Sequence, residues 1–489
     1  MSFINPDEDK LQEECGVFGI LGHPDAAAFT ALGLHALQHR GQEASGIVSY
    51  DGKRFHSERH FGLVGDHFTD AATIERLPGN GALGHTLYST SGETVLRNVQ
   101  PLFAELGTGG IAICHNGNFT NARTLRNRII ASGAICQSTS DTEVVLHLIA
   151  RSKEHNSGNR FTDAIKQMEG AFALVAMTTT KLIGARDRLG IRPLVLGDLD
   201  GAPIFASETC ALDIIGAKFV RDVKNGEVII FEQEMDGSIS QKSIMPFEPA
   251  NERLCVFEYV YFARPDSIVS GRSVYDVRKR MGSVLSDESH VDADVIVPVP
   301  DSGVPAAIGY AHQSGVPFEL GIIRNHYVGR TFIEPTQSIR ALGVKLKLSA
   351  NRGQIEGKRV ILIDDSIVRG TTSTKIVQMI REAGASEVHM RIASPPIIAP
   401  DYYGIDTPHS DQLLANRVAD VAEMCEFIGA DSLSFLSING LYNAIDGEDR
   451  NDAAPQFTDH YFTKDYPTRL TDLEGNFALG QASLLKEAG

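Results

Sequence analysis

The stretch "VILIDDSIVRGTTS", residues 360–373, decides the fold of the second half of the chain. Four apolar residues make a strand that ends on two adjacent carboxylates, Asp364 and Asp365, and a loop containing Gly370 follows. Next comes a helix with Ile376, Val377, Ile380 and Ala383 on its apolar face, closed by Gly384. Such a strand–loop–helix turn presents backbone N–H groups, and the hydroxyls of Ser366, Thr371, Thr372 and Ser373, to a phosphate at the helix N-terminus. Asp364 and Asp365 stand at the carboxyl end of the strand, where ligands sit in doubly wound sheets, and can accept hydrogen bonds from ribose hydroxyls. Two adjacent aspartates alone would suit an acidic cap on an ordinary loop. The complete pattern favours a sugar phosphate.

The neighbouring sequence agrees. "DVIVPVP", "FELGIIR", "KRVILIDD" and "EVHMRIASPP" are near-continuous apolar runs separated by helical segments such as "TSTKIVQMIREAG". Runs buried on both faces and alternating with helices predict a parallel, doubly wound sheet. "VIVPVPDSGVPAAIGYA", 295–311, is a second strand–loop–helix, whose turn around Asp301, Ser302 and Gly303 can hold a pyrophosphate and its Mg²⁺. Residues 324–352 carry six Lys/Arg against one acid, Glu334. In so acidic a chain this fits either a lid over an anion or a solvated basic loop.

The remaining bulk properties exclude more than they identify. A chain of 489 residues has room for two to four domains. A net charge of -17 disfavours nucleic acid or an anionic membrane as the main partner. Six cysteines without a C-x-x-C pair fit a reducing cytoplasm. No apolar run approaches the ~20 residues that span a bilayer, and the acidic "MSFINPDEDKLQEE" has neither part of a signal peptide.

The first half reads differently. "CGVFGIL", "SGIVSY", "GIAICHNGNF", "AFALVAM" and "EVIIFEQ" are short strands broken by glycine, with helices at "AAAFTALGLHALQHRG" and "TEVVLHLIARS". Cys15 opens the first strand after fourteen unpatterned residues. Taken alone, a small buried thiol at a strand edge explains it better than a nucleophile does. "ICHNGNFTNA", 113–122, sets a strand against an Asn-Gly turn, from which the Asn116 amide and the Gly117 N–H can donate to an oxyanion. Arg40 lies in a glycine-bounded loop, and Asp141 at a helix start can cap that helix or bind an ammonium group. Polar residues 236–254 read as a hairpin end and a linker, and the last forty or so residues as a loose surface tail.

These motifs carry a resemblance. Residues 360–373 resemble the signature of type I phosphoribosyltransferases, which bind phosphoribosyl pyrophosphate (PRPP). The Cys15, Arg40, Asn116–Gly117 and Asp141 segments resemble the N-terminal-nucleophile glutamine amidotransferases. Together, and with "FEYVYFARPDS" at 257–267, they resemble the amidophosphoribosyltransferase family from about Glu13 to Thr468. The resemblance implies an α/β (α+β) chain: a propeptide at 1–14, an αββα glutaminase domain at 15–245, a phosphoribosyltransferase domain at 255–440 and a tail at 441–489. It implies glutamine hydrolysis at Cys15, an oxyanion hole of Asn116 and Gly117, and glutamine held by Arg40 and Asp141. PRPP would lie on Asp364, Asp365, Ser366, Ile367, Val368, Arg369, Gly370, Thr371 and Thr372, with one Mg²⁺ per subunit near Ser302, Asp364 and Asp365. Ammonia would pass through an internal channel to C1 of PRPP, giving 5-phosphoribosylamine and pyrophosphate and opening de novo purine synthesis. A cytoplasmic homotetramer inhibited by purine nucleotides completes the expectation.

Two departures from the family stand out. The family arginine that grips glutamine's α-carboxylate falls at Leu87 in "GHTLYST", which implies a substitute such as Arg40 or Arg97, or weak glutamine use with free ammonia serving better. Members of the Bacillus type hold a [4Fe–4S] cluster on four cysteines; the matching positions here are Cys255, Asp401, Thr458 and Tyr461, so no cluster is expected. Two other readings remain: a PRPP-sensing regulator, for which no basic DNA-reading element is found, and glucosamine-6-phosphate synthase, which would need sugar-isomerase domains where "IDDSIVRGTTS" stands.

Overall fold

The computed structural model describes residues 15–88, 95–107, 109–325 and 348–474. The expected propeptide and most of the expected basic lid lie outside them. The chain forms two compact units.

The first unit contains residues 15–255, 401–406 and 466–474. Its described strands run in chain order: β1 Gly16–Leu21, β2 Ala44–Tyr50, β3 Phe55–Phe61, β4 Gly81–Leu87, β5 Leu102–Leu106, β6 Gly109–Phe119, β7 Gly170–Thr178, β8 Lys181–Arg186, β9 Val195–Leu199, β10 Ala202–Ala206, β11 Lys218–Asp222, β12 Val228–Gln233 and β13 Ile239–Ile244. They build two antiparallel sheets, β11-β9-β10-β1-β4-β2-β3 and β13-β12-β8-β7-β6-β5. Strand alternation sorts their side chains into layers. On β1, Val17 and Leu21 join Ala173, Val175 and Met177 of β7 in the core between the sheets. Phe18 and Ile20 point the other way, under the helix Ala26–Ala36. Phe172, Leu174 and Ala176 of β7 face the helices Thr142–Arg151 and Ser157–Ile165. The result is a four-layer αββα sandwich, and burial on both faces explains the unbroken apolar runs.

The second unit contains residues 256–400 and 407–465. Its central sheet is parallel, in the order β14 (Val295–Pro298), β15 (Arg359–Asp364), β16 (Glu387–Ile392) and β17 (Ser432–Phe435). Val360 and Leu362, with Val297, Val388 and Met390, pack with Ile376, Val377 and Ile380 of the helix Thr371–Glu382. On the N-terminal side, helices Val274–Ser289 and Val304–Ser314 approach backbone to backbone. A Cβ on Gly282 would fall on the Ala306 carbonyl, and one on Gly309 on the Lys279 carbonyl.

Two expectations need correction. Asn116-Gly117 is no turn: β6 runs through it, with Asn116 opposite Ala173 and Gly117 opposite Phe172 of β7. Gly117 supplies a φ of +133°, which a side chain would resist, so the strand keeps its pairing where the dipeptide suggests a reversal. Nor is 441–465 a loose tail. Helix Ile438–Asp446 buries Leu441, Tyr442 and Ile445, and Thr458, Asp459, His460 and Tyr461 are buried. Arg450 ties the exposed part of this stretch to the buried part, pairing with the exposed Asp452 and the buried Asp459 at 2.6 Å and with the partly exposed Asp465 at 3.1 Å. Residues 466–474 belong with the first unit, as does the short segment 401–406.

Candidate active sites

Cys15 stands at the entry to β1, partly buried among Ala44, Leu87 and Val99. The adjoining Gly16 N–H donates to Thr86 Oγ1 at 3.1 Å, and a Cβ on Gly16 would collide with that oxygen 2.6 Å away. The thiol points at the Tyr88 carbonyl, 3.7 Å off. Burial pushes it up to about 12; the Tyr88 contact and Arg40 pull it down, and Asp141 and Glu43 push it further up. Unaided, this thiol is not a thiolate at neutral pH. Electrostatically it already feels Asp141 and Arg40, so the fold gathers three of the expected glutaminase residues.

Asn116 and Gly117 come from the other sheet. The sheets are tied at this edge by His85 of β4, whose Nε2 lies 3.0 Å from the His115 carbonyl. Asn116 is fully buried, and among the described residues neither Oδ1 nor Nδ2 has a hydrogen-bond partner. A buried amide without partners costs about 1–3 kcal/mol, which a ligand accepting its N–H would recover. At Gly117 a Cβ would fall on the Ala171 carbonyl, so only glycine keeps the backbone there.

Asp141 precedes the helix Thr142–Arg151 but does not cap it. Its carboxylate reaches back instead, accepting from Phe119 N–H and Thr142 Oγ1, both at 3.2 Å, and facing His115 Nδ1 at 3.6 Å. Burial works against the charge, but His115 and these donors outweigh it and hold Asp141 below the usual carboxylate range. It stays anionic, as an ammonium receptor must.

Arg40 is fully buried in a short 3₁₀ turn with its Nε paired to the buried Glu208, which also accepts from His39 Nε2 at 2.6 Å. It is a fixed cation whose charge the Cys15 thiol feels. Leu87, on β4, is buried beside Cys15 and offers no donor.

In the second unit the 360–373 turn has the expected form. Asp364 and Asp365 are buried at the carboxyl end of β15. Asp365 N–H donates to Asp364 Oδ1 at 3.0 Å and Ser366 Oγ to Asp365 Oδ1 at 2.6 Å. Asp365 Oδ2 and, on the neighbouring loop, Ser302 Oγ are buried without a partner among the described residues. The two loops lie side by side, because Val299 N–H donates to the Ile363 carbonyl at 2.8 Å and a Cβ on Gly303 would strike that carbonyl. Gly370, at φ +81°, leads into the helix Thr371–Glu382, whose first turn has no side-chain cap. Ile367 and Val368 turn their side chains into the core, leaving only their backbone to a ligand, and Arg369 donates to Gln412 Oε1 at 3.3 Å.

Two metal groups can be tested on donor chemistry. The two orphan oxygens, of Asp365 and Ser302, with the Asp364 carboxylate, are hard donors of the kind Mg²⁺ takes. A cubane does not fit the second set. Cys255 is the one thiol of the four, and the Asp401 carboxylate is occupied by Tyr403 N–H at 2.8 Å, Ile405 N–H at 2.6 Å and nearby Arg192. Among the described residues one further trio, Cys136, Glu143 and His147, has metal-like spacing. There Glu143 already accepts from Gln137 and Ser138 N–H with Arg126 at 3.5 Å, which makes it a clamp on the loop into Asp141.

His85, His115 and Glu208, and segment 401–406, are not distinguished by sequence pattern. Their partners are far along the chain, and no local period marks them.

The chain is similar to known proteins over both units. A glutamine amidotransferase domain family matches residues 89–213 and a phosphoribosyl transferase domain family residues 270–393. The amidophosphoribosyltransferase of Rhizobium etli is 72% identical, over 99% of this chain and 97% of its own. That of Bacillus subtilis is 47% identical over 94% and 95%. The solved B. subtilis glutamine PRPP amidotransferase, complexed with ADP and GMP, superposes with a TM-score of 0.87 at 46% identity, covering 93% of this chain and 98% of that one. With such identity over nearly its whole length, the chain belongs to the amidophosphoribosyltransferase family.

Proposed function

We propose that the protein performs its family's reaction, glutamine-dependent amidation of PRPP in purine biosynthesis, with Cys15 as nucleophile and the 360–373 turn as the PRPP seat. The observation that carries the glutaminase assignment is the orphan Asn116 amide, buried on the strand whose His115 and Phe119 hold Asp141, the carboxylate that the Cys15 thiol also feels. Removal of residues 1–14 would free the Cys15 α-amine to take the thiol proton, which burial otherwise holds. Sγ attacks the carboxamide carbon of glutamine; Asn116 Nδ2–H and Gly117 N–H hold the oxyanion; ammonia leaves as the thioester forms, and water then releases glutamate. Asp141 grips the substrate ammonium.

Ammonia then attacks C1 of PRPP and pyrophosphate departs, leaving 5-phosphoribosylamine. Asp364 and Asp365 hold the ribose hydroxyls, and the loop 366–372 holds the 5-phosphate through backbone amides and the Ser366, Thr371 and Thr372 hydroxyls. Mg²⁺, bound near Ser302, Asp364 and Asp365, would neutralise the pyrophosphate. No iron–sulfur cluster is required. The domain plan of this reading is a propeptide at 1–14, glutaminase at 15–245 and phosphoribosyltransferase at 255–440, with residues 441–465 folded into the second unit. Six free cysteines favour a reducing cytoplasm, and the ADP and GMP of the solved relative favour purine nucleotides as inhibitors; the homotetramer rests on the family resemblance alone.

Asn116→Ala tests the assignment. Loss of one oxyanion donor should lower kcat for glutamine hydrolysis by about 10²–10³ while ammonia-dependent transfer is unchanged. Undiminished hydrolysis would remove Asn116 from the chemistry.

A further inference from the structure

Segment 401–406, "DYYGID", lies far along the chain from β6 yet packs in the first unit against the end of that strand. The Asn118 amide donates to the Tyr402 carbonyl at 2.9 Å. Gly404, at φ +122°, sits directly on Gly117: a Cβ there would lie 2.9 Å from both Cα and C of Gly117. That is closer than carbon atoms tolerate, and the obstacle is backbone, which cannot rotate aside.

The segment is itself rigidly held. The fully buried Arg192 donates from Nε and Nη2 to the Tyr403 carbonyl at 3.0 and 2.8 Å. Asp401 Oδ2 accepts from Tyr403 and Ile405 N–H and lies 3.6 Å from Arg192. Tyr403 is buried, and its hydroxyl accepts from Thr468 N–H at 3.2 Å. On the opposite side of Gly117, its strand partner Phe172 donates N–H to Asp187, whose carboxylate also accepts from Arg192 N–H at 3.4 Å. Gly117 is therefore enclosed by two arms of one hydrogen-bonded frame that meet at Arg192.

We infer that segment 401–406 is a brace that sets the direction of the Gly117 peptide, with Gly404 as a positioning residue for glutamine hydrolysis. This rests on Asn116 and Gly117 forming the oxyanion hole. A donor aimed at developing charge works only in its place, and a backbone at φ +133° has no side-chain packing of its own to keep it there. Gly404 touches no substrate; it acts by allowing the brace to close on Gly117.

The test uses Gly404→Ala, Asp401→Ala and Asp401→Asn in the full chain, with Asn116→Ala as reference. Gly404→Ala should lower kcat for glutamine hydrolysis by about 100-fold, with KM for glutamine changed less than about threefold and ammonia-dependent transfer intact. In the Asn116→Ala background the same change should cost under about tenfold, because both act on one oxyanion. Asp401→Asn, which keeps an acceptor for the Tyr403 and Ile405 amides, should retain most activity, and Asp401→Ala should not. This pair decides the matter if Gly404→Ala fails to fold. Equal loss of ammonia- and glutamine-dependent rates, or full additivity with Asn116→Ala, would overturn the brace. If Asn116→Ala alone leaves hydrolysis untouched, it is the oxyanion assignment beneath it that falls.

Discussion

Leu87 stands where the family pattern has an arginine and is expected to weaken the hold on glutamine. It is buried with Ala44 and Val99 beside Cys15, and Arg40, one candidate to replace a missing guanidinium, has its Nε paired to Glu208. A substrate carboxylate arriving here therefore loses one charge-assisted contact, worth roughly 1.5–3 kcal/mol. Glutamine should bind weakly and ammonia serve comparatively well. Leu87→Arg is expected to lower KM for glutamine by about tenfold or more in steady-state hydrolysis assays while ammonia-dependent rates stay put. Efficient hydrolysis by the unaltered protein, with KM unchanged or raised by the substitution, would mean another cation holds the carboxylate. The chemical identity of Cys15, Asn116 and Asp141 is legible from residue type and neighbours alone. The commitment of Arg40 is not, because Glu208 lies 168 positions away.

At the scale of elements, the phosphate turn is legible because its signals are local: a doubly buried strand, two carboxylates, a left-handed glycine and an uncapped helix within one short stretch. Asp365→Asn keeps the shape and removes the charge. It should weaken PRPP binding by roughly tenfold to over a hundredfold, measured by titration or by KM for PRPP, and leave basal glutamine hydrolysis alone. Unchanged PRPP kinetics would mean the ribose lies elsewhere. β6 shows where local signals mislead. Asn-Gly is a strong turn marker, but the ladder with β7 holds Asn116–Gly117 extended, a case of tertiary pairing overriding local preference. The 441–465 region misleads through composition: its charged stretch is exposed, but apolar Leu441, Tyr442, Ile445 and Tyr461 and the Arg450-paired Asp459 on either side of it are buried.

At the scale of the whole molecule, the division into a sandwich and a parallel sheet follows from the change of rhythm near residue 250, but the path of the chain does not. No sequence period announces that 401–406 returns to the first unit. Maturation is the first whole-chain test: intact mass should correspond to a chain beginning at Cys15, and the same anaerobically purified sample should contain no stoichiometric iron or sulfide. An unprocessed chain with full glutaminase activity would remove the terminal amine from the mechanism, and a cluster would contradict the donor set at Cys255 and Asp401. The central claim, two chemistries with Cys15 serving only the first, is tested most directly by pyrophosphate release from PRPP with glutamine or ammonia as nitrogen source. The protein should release pyrophosphate with either, and Cys15→Ala with ammonia alone; glutamine-dependent release surviving in Cys15→Ala would contradict the account.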